Sequence, residues 1–193
     1  MRKHEAQTCL DIRTHSGIAE HLHLVIGLVA GEKTRFVSRS FGRGTGLMPT
    51  DEQQERVRAS FAKQGLMSTL GAILDSVSPG MVEIVVSPHP AILQQHGFVH
   101  GGVVSAIADS AAGYAALSLM PMDTGVLTTE FKINFLAPAA GEHILARGRV
   151  VKAGRTLTLA QAEVFAKTGG EEKLIALLTA TLMVVKGRDG ISD

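Results

Sequence analysis

His100-Gly101-Gly102-Val103-Val104-Ser105-Ala106-Ile107-Ala108-Asp109-Ser110-Ala111-Ala112-Gly113-Tyr114-Ala115-Ala116-Leu117 decides the architecture. The run is long and apolar, and Pro121 closes it soon after. Its length suits a membrane span, yet it is poor in Leu and Phe. It also carries Asp109, and a carboxylate at the centre of a span costs ~3 kcal/mol. The stretch therefore reads as a buried helix over 100–120. At helical spacing Gly102, Ser105, Ala106, Asp109, Ala112, Gly113 and Ala116 share one face. These are small residues apart from Asp109, and they suit close approach by a sheet or a second helix.

Upstream, Thr50-Asp51-Glu52-Gln53 has the form of a capping box, which predicts a helix over 51–63 that stops at Gly65. Two apolar runs, 70–77 and 81–87, flank Ser78-Pro79-Gly80 and predict a hairpin. A loop over 88–98 follows, carrying His89 and Gln94-Gln95-His96. Downstream of the long helix the period changes to two. Leu127, Thr129, Phe131, Ile133 and Phe135 alternate with Thr128, Glu130, Lys132 and Asn134, the pattern of a half-buried strand. Further strands are expected over 143–152, 156–167 and 173–185, with turns at Ala153-Gly154-Arg155 and Gly169-Gly170. There is no internal repeat. Strands gathered around one helix predict an α+β fold, an antiparallel sheet wrapped on a long central helix.

Composition narrows the function. The chain has 193 residues, 45% hydrophobic and 4% aromatic, with net charge +1 and one cysteine. A single cysteine, Cys9, excludes a disulfide framework and a Cys-based zinc cluster. Near-neutral charge and few aromatics argue against nucleic acid as a partner. The charge is divided: residues 1–47 hold seven Lys/Arg against four Asp/Glu, and the remainder holds twelve against fourteen. The apolar run over 22–30 follows Glu5, Asp11 and Glu20 and has no small-x-small cleavage site after it, unlike a signal peptide. Gly42-Arg43-Gly44-Thr45-Gly46 lacks the Lys-Ser/Thr pair of a phosphate loop. Two readings of 1–47 stay open, a flexible extension or residues upstream of a true start at Met48. The domain proper is expected over 48–187 with a short tail over 188–193, and a cytoplasmic location is expected.

Chemistry concentrates at the long helix. No Gly-x-Ser-x-Gly elbow is present, and neither His21-x-His23 nor His89, His96 and His100 match a metal site, so no metal or cofactor is expected. At His100-Gly101-Gly102 the first N–H groups of the helix lack internal partners and carry the positive end of its dipole. Two glycines let a carbonyl oxygen approach that backbone. Asp109 is the only acidic residue between Glu83 and Asp123. Set among Ala, Ile and Ser, it is costly unless hydrogen-bonded or used; a bond to Ser105 or Ser110 is the structural alternative. Nine residues place Asp109 ~13 Å along the helix from His100 and half a turn out of phase. If both serve one site, two chains must form it.

Gly97-Phe98-Val99-His100-Gly101-Gly102 followed by Asp109 resembles the signature of hotdog-fold acyl-CoA thioesterases of the phenylacetate-degradation (PaaI-like) type. The similarity covers about 66–185. The resemblance implies a hotdog fold, an acyl-CoA substrate, and a homodimer or homotetramer with sites at the subunit interface. It implies that Asp109 serves as nucleophile or as general base on water. It implies that the backbone N–H at the second glycine, Gly102 or its neighbour, polarises the thioester carbonyl from the opposing subunit, with Gly101 among the substrate-binding residues. His100 supports that loop and the substrate, and Thr128 helps to hold the water. Gln94 stands where many members carry Asn. Lys152, Gly154 and Arg155 match the segment whose basic residues meet the CoA phosphates. A hotdog hydratase or dehydratase, and a non-catalytic acyl-CoA-sensing module, are the alternatives. The first usually pairs a His with an acidic residue on one motif, and the second needs a DNA-binding segment that 1–47 does not resemble.

Overall fold

The computed structural model describes residues 51–187. The segments 1–47 and 188–193 and the capping residue Thr50 lie outside them. The helices are α1 (Asp51–Ala62), α2 (Gly65–Leu70) and α3 (Gly101–Leu117). The strands are β1 (Ile73–Ser78), β2 (Met81–Val86), β3 (Thr124–Phe135), β4 (His143–Lys152), β5 (Leu157–Thr168) and β6 (Glu171–Lys186). A 3₁₀ turn covers Pro90–Ile92. The strands form one sheet in the order β1-β2-β4-β5-β6-β3, with every neighbouring pair antiparallel. α3 packs across one face of it against β2 to β6. This is the wrapped sheet expected from the sequence.

Small residues let the helix sink into that face. Ala146, Ala160, Ala162, Ala176 and Ala180 are buried beneath it. At Gly148 the two backbones meet: a Cβ there would lie 2.2 Å from the carbonyl carbon and oxygen of Ala111. The contact involves Ala111 and Ala112, further along the helix than most of the expected small-residue face. Gly102, Ser105, Ala106 and Asp109 stay partly or fully exposed. Over the later turns α1 adds cover, with the rings of Phe61 and Tyr114 edge to face at 5.9 Å. Arg56 of α1 is buried and donates to the carbonyls of Met120, Pro121 and Thr124, fixing the connection from α3 into β3.

Three sequence expectations are corrected. Gly65 does not stop the first helix; it opens α2, and Leu70 belongs to that helix and not to the hairpin. Burial of Met67 and Leu70, three residues apart, drives the extra turn, and Gly71 ends it in the left-handed conformation at φ 65°. α3 finishes at Leu117, well before Pro121. Ser118 terminates it by donating to the Ala115 carbonyl at 2.7 Å and accepting the Gly80 N–H at 2.8 Å.

The third correction concerns β3. Its register against β6 shifts between Thr128 and Glu130, so Thr129 is an extra residue. Thr128 pairs with Leu182, while Phe131, Ile133 and Phe135 pair with Ala180, Leu178 and Ala176. Those β6 residues are buried towards α3, so their partners face the helix too. Leu127, paired with Met183, faces the outer side. The strand is also the sheet's edge, which leaves Phe131 46% and Phe135 55% exposed instead of half-buried.

Gly148→Ala should cost about 3 kcal/mol or more, because main chain blocks the new methyl on the helix side. Gly65→Ala, with open space around it, should change stability by less than about 0.5 kcal/mol. Urea unfolding of the two variants tests the pair of expectations. Equal midpoints would show that the sheet yields to the helix at no cost.

Candidate functional site

The loop before α3 is folded tightly upon itself. Leu93 and Val99 bridge across it, the Gln94 N–H donates to the Phe98 carbonyl at 2.8 Å, and the Gly97 N–H returns to the Gln94 carbonyl at 2.9 Å. The Gln94 side-chain carbonyl accepts from the His96 N–H. His100 is pinned by its own N–H to the Ile92 carbonyl at 2.9 Å and takes an extended conformation as the helix N-cap.

From there the donors at the helix start are shared out. His100 Nδ1 accepts the Gly102 N–H at 2.9 Å, so the neutral ring carries its proton on Nε2. The His100 carbonyl accepts from Val103 at 2.9 Å and Val104 at 3.2 Å. The Gly101 N–H alone of the first four has no hydrogen-bond partner among the described residues. Both glycines have steric reasons. A Cβ on Gly102 would stand 3.0 Å from His100 Nδ1, and one on Gly101 would stand 3.2 Å from Phe135 Cζ.

Asp109 lies farther along the helix and is half-buried. Neither nearby serine holds it: Ser105 donates to the Gly101 carbonyl at 2.8 Å, and Ser110 to Gln64 Oε1 at 3.3 Å. Thr128 Oγ1 donates to Asp109 Oδ1 at 2.8 Å, and the extra residue in β3 gives Thr128 its inward aim. No cation pairs with Asp109 among the described residues. Burial pushes its pKa above the ordinary aspartate value, and the Thr128 hydrogen bond opposes that rise. A carboxylate with raised proton affinity and no salt bridge is suited to accepting a proton.

Asp109 and Thr128 are thus brought together, as are His100 and Gly102; the two groups are not. Gly101 and Asp109 are eight residues apart, about 12 Å along the axis. Gln94 stays with the helix start. Lys152, Gly154 and Arg155 lie exposed at the β4–β5 turn. Leu157 is in register with Met183 and Leu127, so that turn sits two strands from β3 at the end nearer Thr128. Gly154 answers a steric need, since a Cβ there would fall 2.3 Å from the Leu157 carbonyl oxygen.

Two clefts flank the loop. One, about 400 Å³, opens between Phe98 and Phe135 beside Gln94 and Gly101, with Val104 and Ile175 at its base. The other, about 360 Å³, lies between α2 and the helix start, beside His100 and Gly102. Sequence reading did not single out Phe98 or Phe135 for the site. Their signal was faint, because alternation placed Phe135 among buried residues. Among the described residues no cluster of His, Cys, Asp or Glu could hold a metal, and no helix is long and apolar enough to cross a membrane.

Residues 96–173, which include the helix start, Asp109 and Thr128, match the model of the thioesterase superfamily. A crystal structure of a thioesterase family protein from Silicibacter pomeroyi is 53% identical, covering 70% of this chain and 99% of that one, with a TM-score of 0.69. The chain belongs to the thioesterase superfamily. The 1,4-dihydroxy-2-naphthoyl-CoA hydrolase of Listeria monocytogenes is 27% identical over 124 residues, 64% of this chain and 98% of that protein. The PaaI protein of the E. coli phenylacetic acid degradation operon shares the fold at 21% identity and a TM-score of 0.65, covering 72% of this chain and 97% of its own. The sheet wrapped on α3 is therefore the hotdog fold of thioesterases, and the family is one of hydrolases.

In this thioesterase Asp109 opposes the stability of the fold. Its raised pKa means the folded chain holds the proton more tightly than the unfolded one. Stability is then fully present at low pH and declines as pH rises through the aspartate range. Asp109→Asn should be more stable than the parent near about pH 7, with the gap closing towards about pH 4. Urea unfolding across that range checks the sign; an Asn variant less stable than the parent at neutral pH would contradict it.

Proposed function

We propose that the chain hydrolyses an acyl-CoA thioester at a site completed by two copies, with Gly101 from one and Asp109 from the other. The observation that carries this reading is the single unengaged N–H at the start of α3, beyond reach of the lone carboxylate on the same helix. No substrate carbon can touch both within one chain. The unpaired edge of β3, with Phe131 and Phe135 exposed, offers the surface on which a second copy would bring them together.

The Gly101 N–H and the helix dipole polarise the thioester carbonyl. Gly102 is spent on His100, so its part is to hold the imidazole that fixes the helix start. Gln94 keeps its side-chain carbonyl on the loop and turns its amide nitrogen to the substrate or water. Across the interface Asp109 takes a proton from water as the oxygen attacks the carbonyl carbon. The oxyanion forms on Gly101, then collapses; the C–S bond breaks, and the CoA thiolate leaves and takes up a proton. Thr128 orients the carboxylate through Oδ1, leaving Oδ2 for the water. Lys152 and Arg155 supply charge for the CoA phosphates. A hydratase reading is less favoured, because no His–carboxylate pair occurs among the described residues.

Gly101→Pro tests the carbonyl donor directly. Proline is tolerated at the first helical position, and His100 at φ −61° and ψ 138° already has the backbone that a following proline demands. The variant deletes one N–H and also adds a Cβ 3.2 Å from Phe135 Cζ. Relative to Gly101→Ala, which makes that contact with the N–H kept, it should lower kcat by ~10²–10³. Asp109→Asn should lower it by ~10² or more. Each alone is nearly inactive, yet subunit exchange at equal amounts should restore about a quarter of the parent rate, because half the mixed dimers' sites are intact. Free-thiol release from acyl-CoA reads all three; confirmed mixed dimers without recovery would rule out the shared site.

A further inference from the structure

Of the two clefts, only one is lined by the residue whose N–H is unengaged. Gly101 faces the space between Phe98 and Phe135, whereas the cleft under α2 presents Gly102, whose N–H is already donated to His100. Gly101 lies beside Phe135, whose ring a Cβ on Gly101 would meet at 3.2 Å, so this cleft is the apolar space that adjoins the unengaged N–H. The base of this cleft is apolar: Val99, Val104 and Ile175 are all buried. Among the described residues Gln94 is the one polar side chain on its lining, and no charged side chain lies there.

We propose that the cleft between Phe98 and Phe135 takes the acyl group of the substrate, and that Phe135 sets which acyl groups are turned over. This rests on the thioesterase reading above. The chemistry selects uncharged acyl groups, because a carboxylate at the end of the chain would be desolvated with no cation to meet it. Size selects too. A cavity of about 150 Å³ holds one benzene ring, so about 400 Å³ admits a compact group of one or two rings, or an alkyl chain of comparable bulk. Phe135 stands on the edge strand that the second copy would cover, so its truncation widens the cleft without opening the core. The oligomeric state of the variant is measured beside its turnover, so that lost assembly is told apart from changed selectivity.

The test is steady-state hydrolysis of acetyl-, hexanoyl-, benzoyl- and succinyl-CoA by the full chain, followed by free-thiol release. Benzoyl and hexanoyl substrates should exceed succinyl by at least about tenfold in kcat/KM. Phe135→Ala should lower the benzoyl-to-acetyl ratio of kcat/KM by about tenfold. Ala137→Phe, which fills the same cleft from the loop after β3, should lower it further. Ala91→Phe fills the other cleft, and Ala91 is exposed, so folding is spared. If Ala91→Phe shifts the ratio while Phe135→Ala and Ala137→Phe leave it unmoved, the acyl group lies under α2 and the proposal falls. A preference for succinyl-CoA in the unaltered protein also overturns it, while the thioesterase reading survives. No turnover of any acyl-CoA by the unaltered protein overturns both.

Discussion

The backbone contact between α3 and β4 at Gly148 sets the depth at which the helix lies in the sheet. Close-packed interiors tolerate little change in volume, so a helix seated on main chain has its height fixed to a fraction of an ångström. Alanines under the helix carry the same shallow spacing along its length. The later turns are clamped between sheet and α1, while the earlier turns bury Val103, Val104, Ile107 and Ala108 and leave their other flank partly open. Their exposed flank carries Gly101, Ser105 and Asp109, and it runs beside β3, where Thr128, Phe131 and Phe135 face it. Neither group of site residues is placed by a loop alone, which suits geometry that must hold to about 0.5 Å.

The site departs from the most stable arrangement in two places. Among the described residues one helix N–H is left without a partner, and one carboxylate is half-buried without a cation. Each is unfavourable for folding, and on the proposed mechanism each is useful for chemistry, since an unengaged donor and a base of raised proton affinity are what a polarised carbonyl and an attacking water require. The hydrogen bonds around them restrict the departure to those two groups. His100 engages the neighbouring amide, Ser105 and Ser110 are turned away from Asp109, and Thr128 holds one carboxylate oxygen.

Much of this was legible in the amino-acid sequence, and its failures have physical causes. The long helix, the hairpin and the succession of strands along the chain followed from apolar periodicity and turn residues, whereas the order of strands within the sheet did not. α2 was hidden because Leu70 continues an apolar run into the next strand, and only the left-handed Gly71 shows where the helix stops. Periodicity placed Leu127 and Thr129 with Phe131, since a bulge has no signature in a single strand; it depends on the partner, β6. Thr128 entered through family resemblance even though alternation put it on the solvent side, and the bulge reconciles the two. Hydrogen-bond allocation is likewise invisible in a sequence. His-Gly-Gly looks the same whichever amide the imidazole takes.

The extra residue in β3 also separates two tasks along one strand. Before it, even-numbered positions face the helix, and Thr128 serves the carboxylate. After it, odd-numbered positions do, and Phe131 and Phe135 serve the apolar side. On the proposed mechanism the irregularity is a joint between a segment that governs how the reaction proceeds and one that governs what is admitted. Divergent copies of such a gene could reshape the aromatic end while inheriting the hydroxyl end unchanged, which is a route by which one scaffold comes to serve many acids.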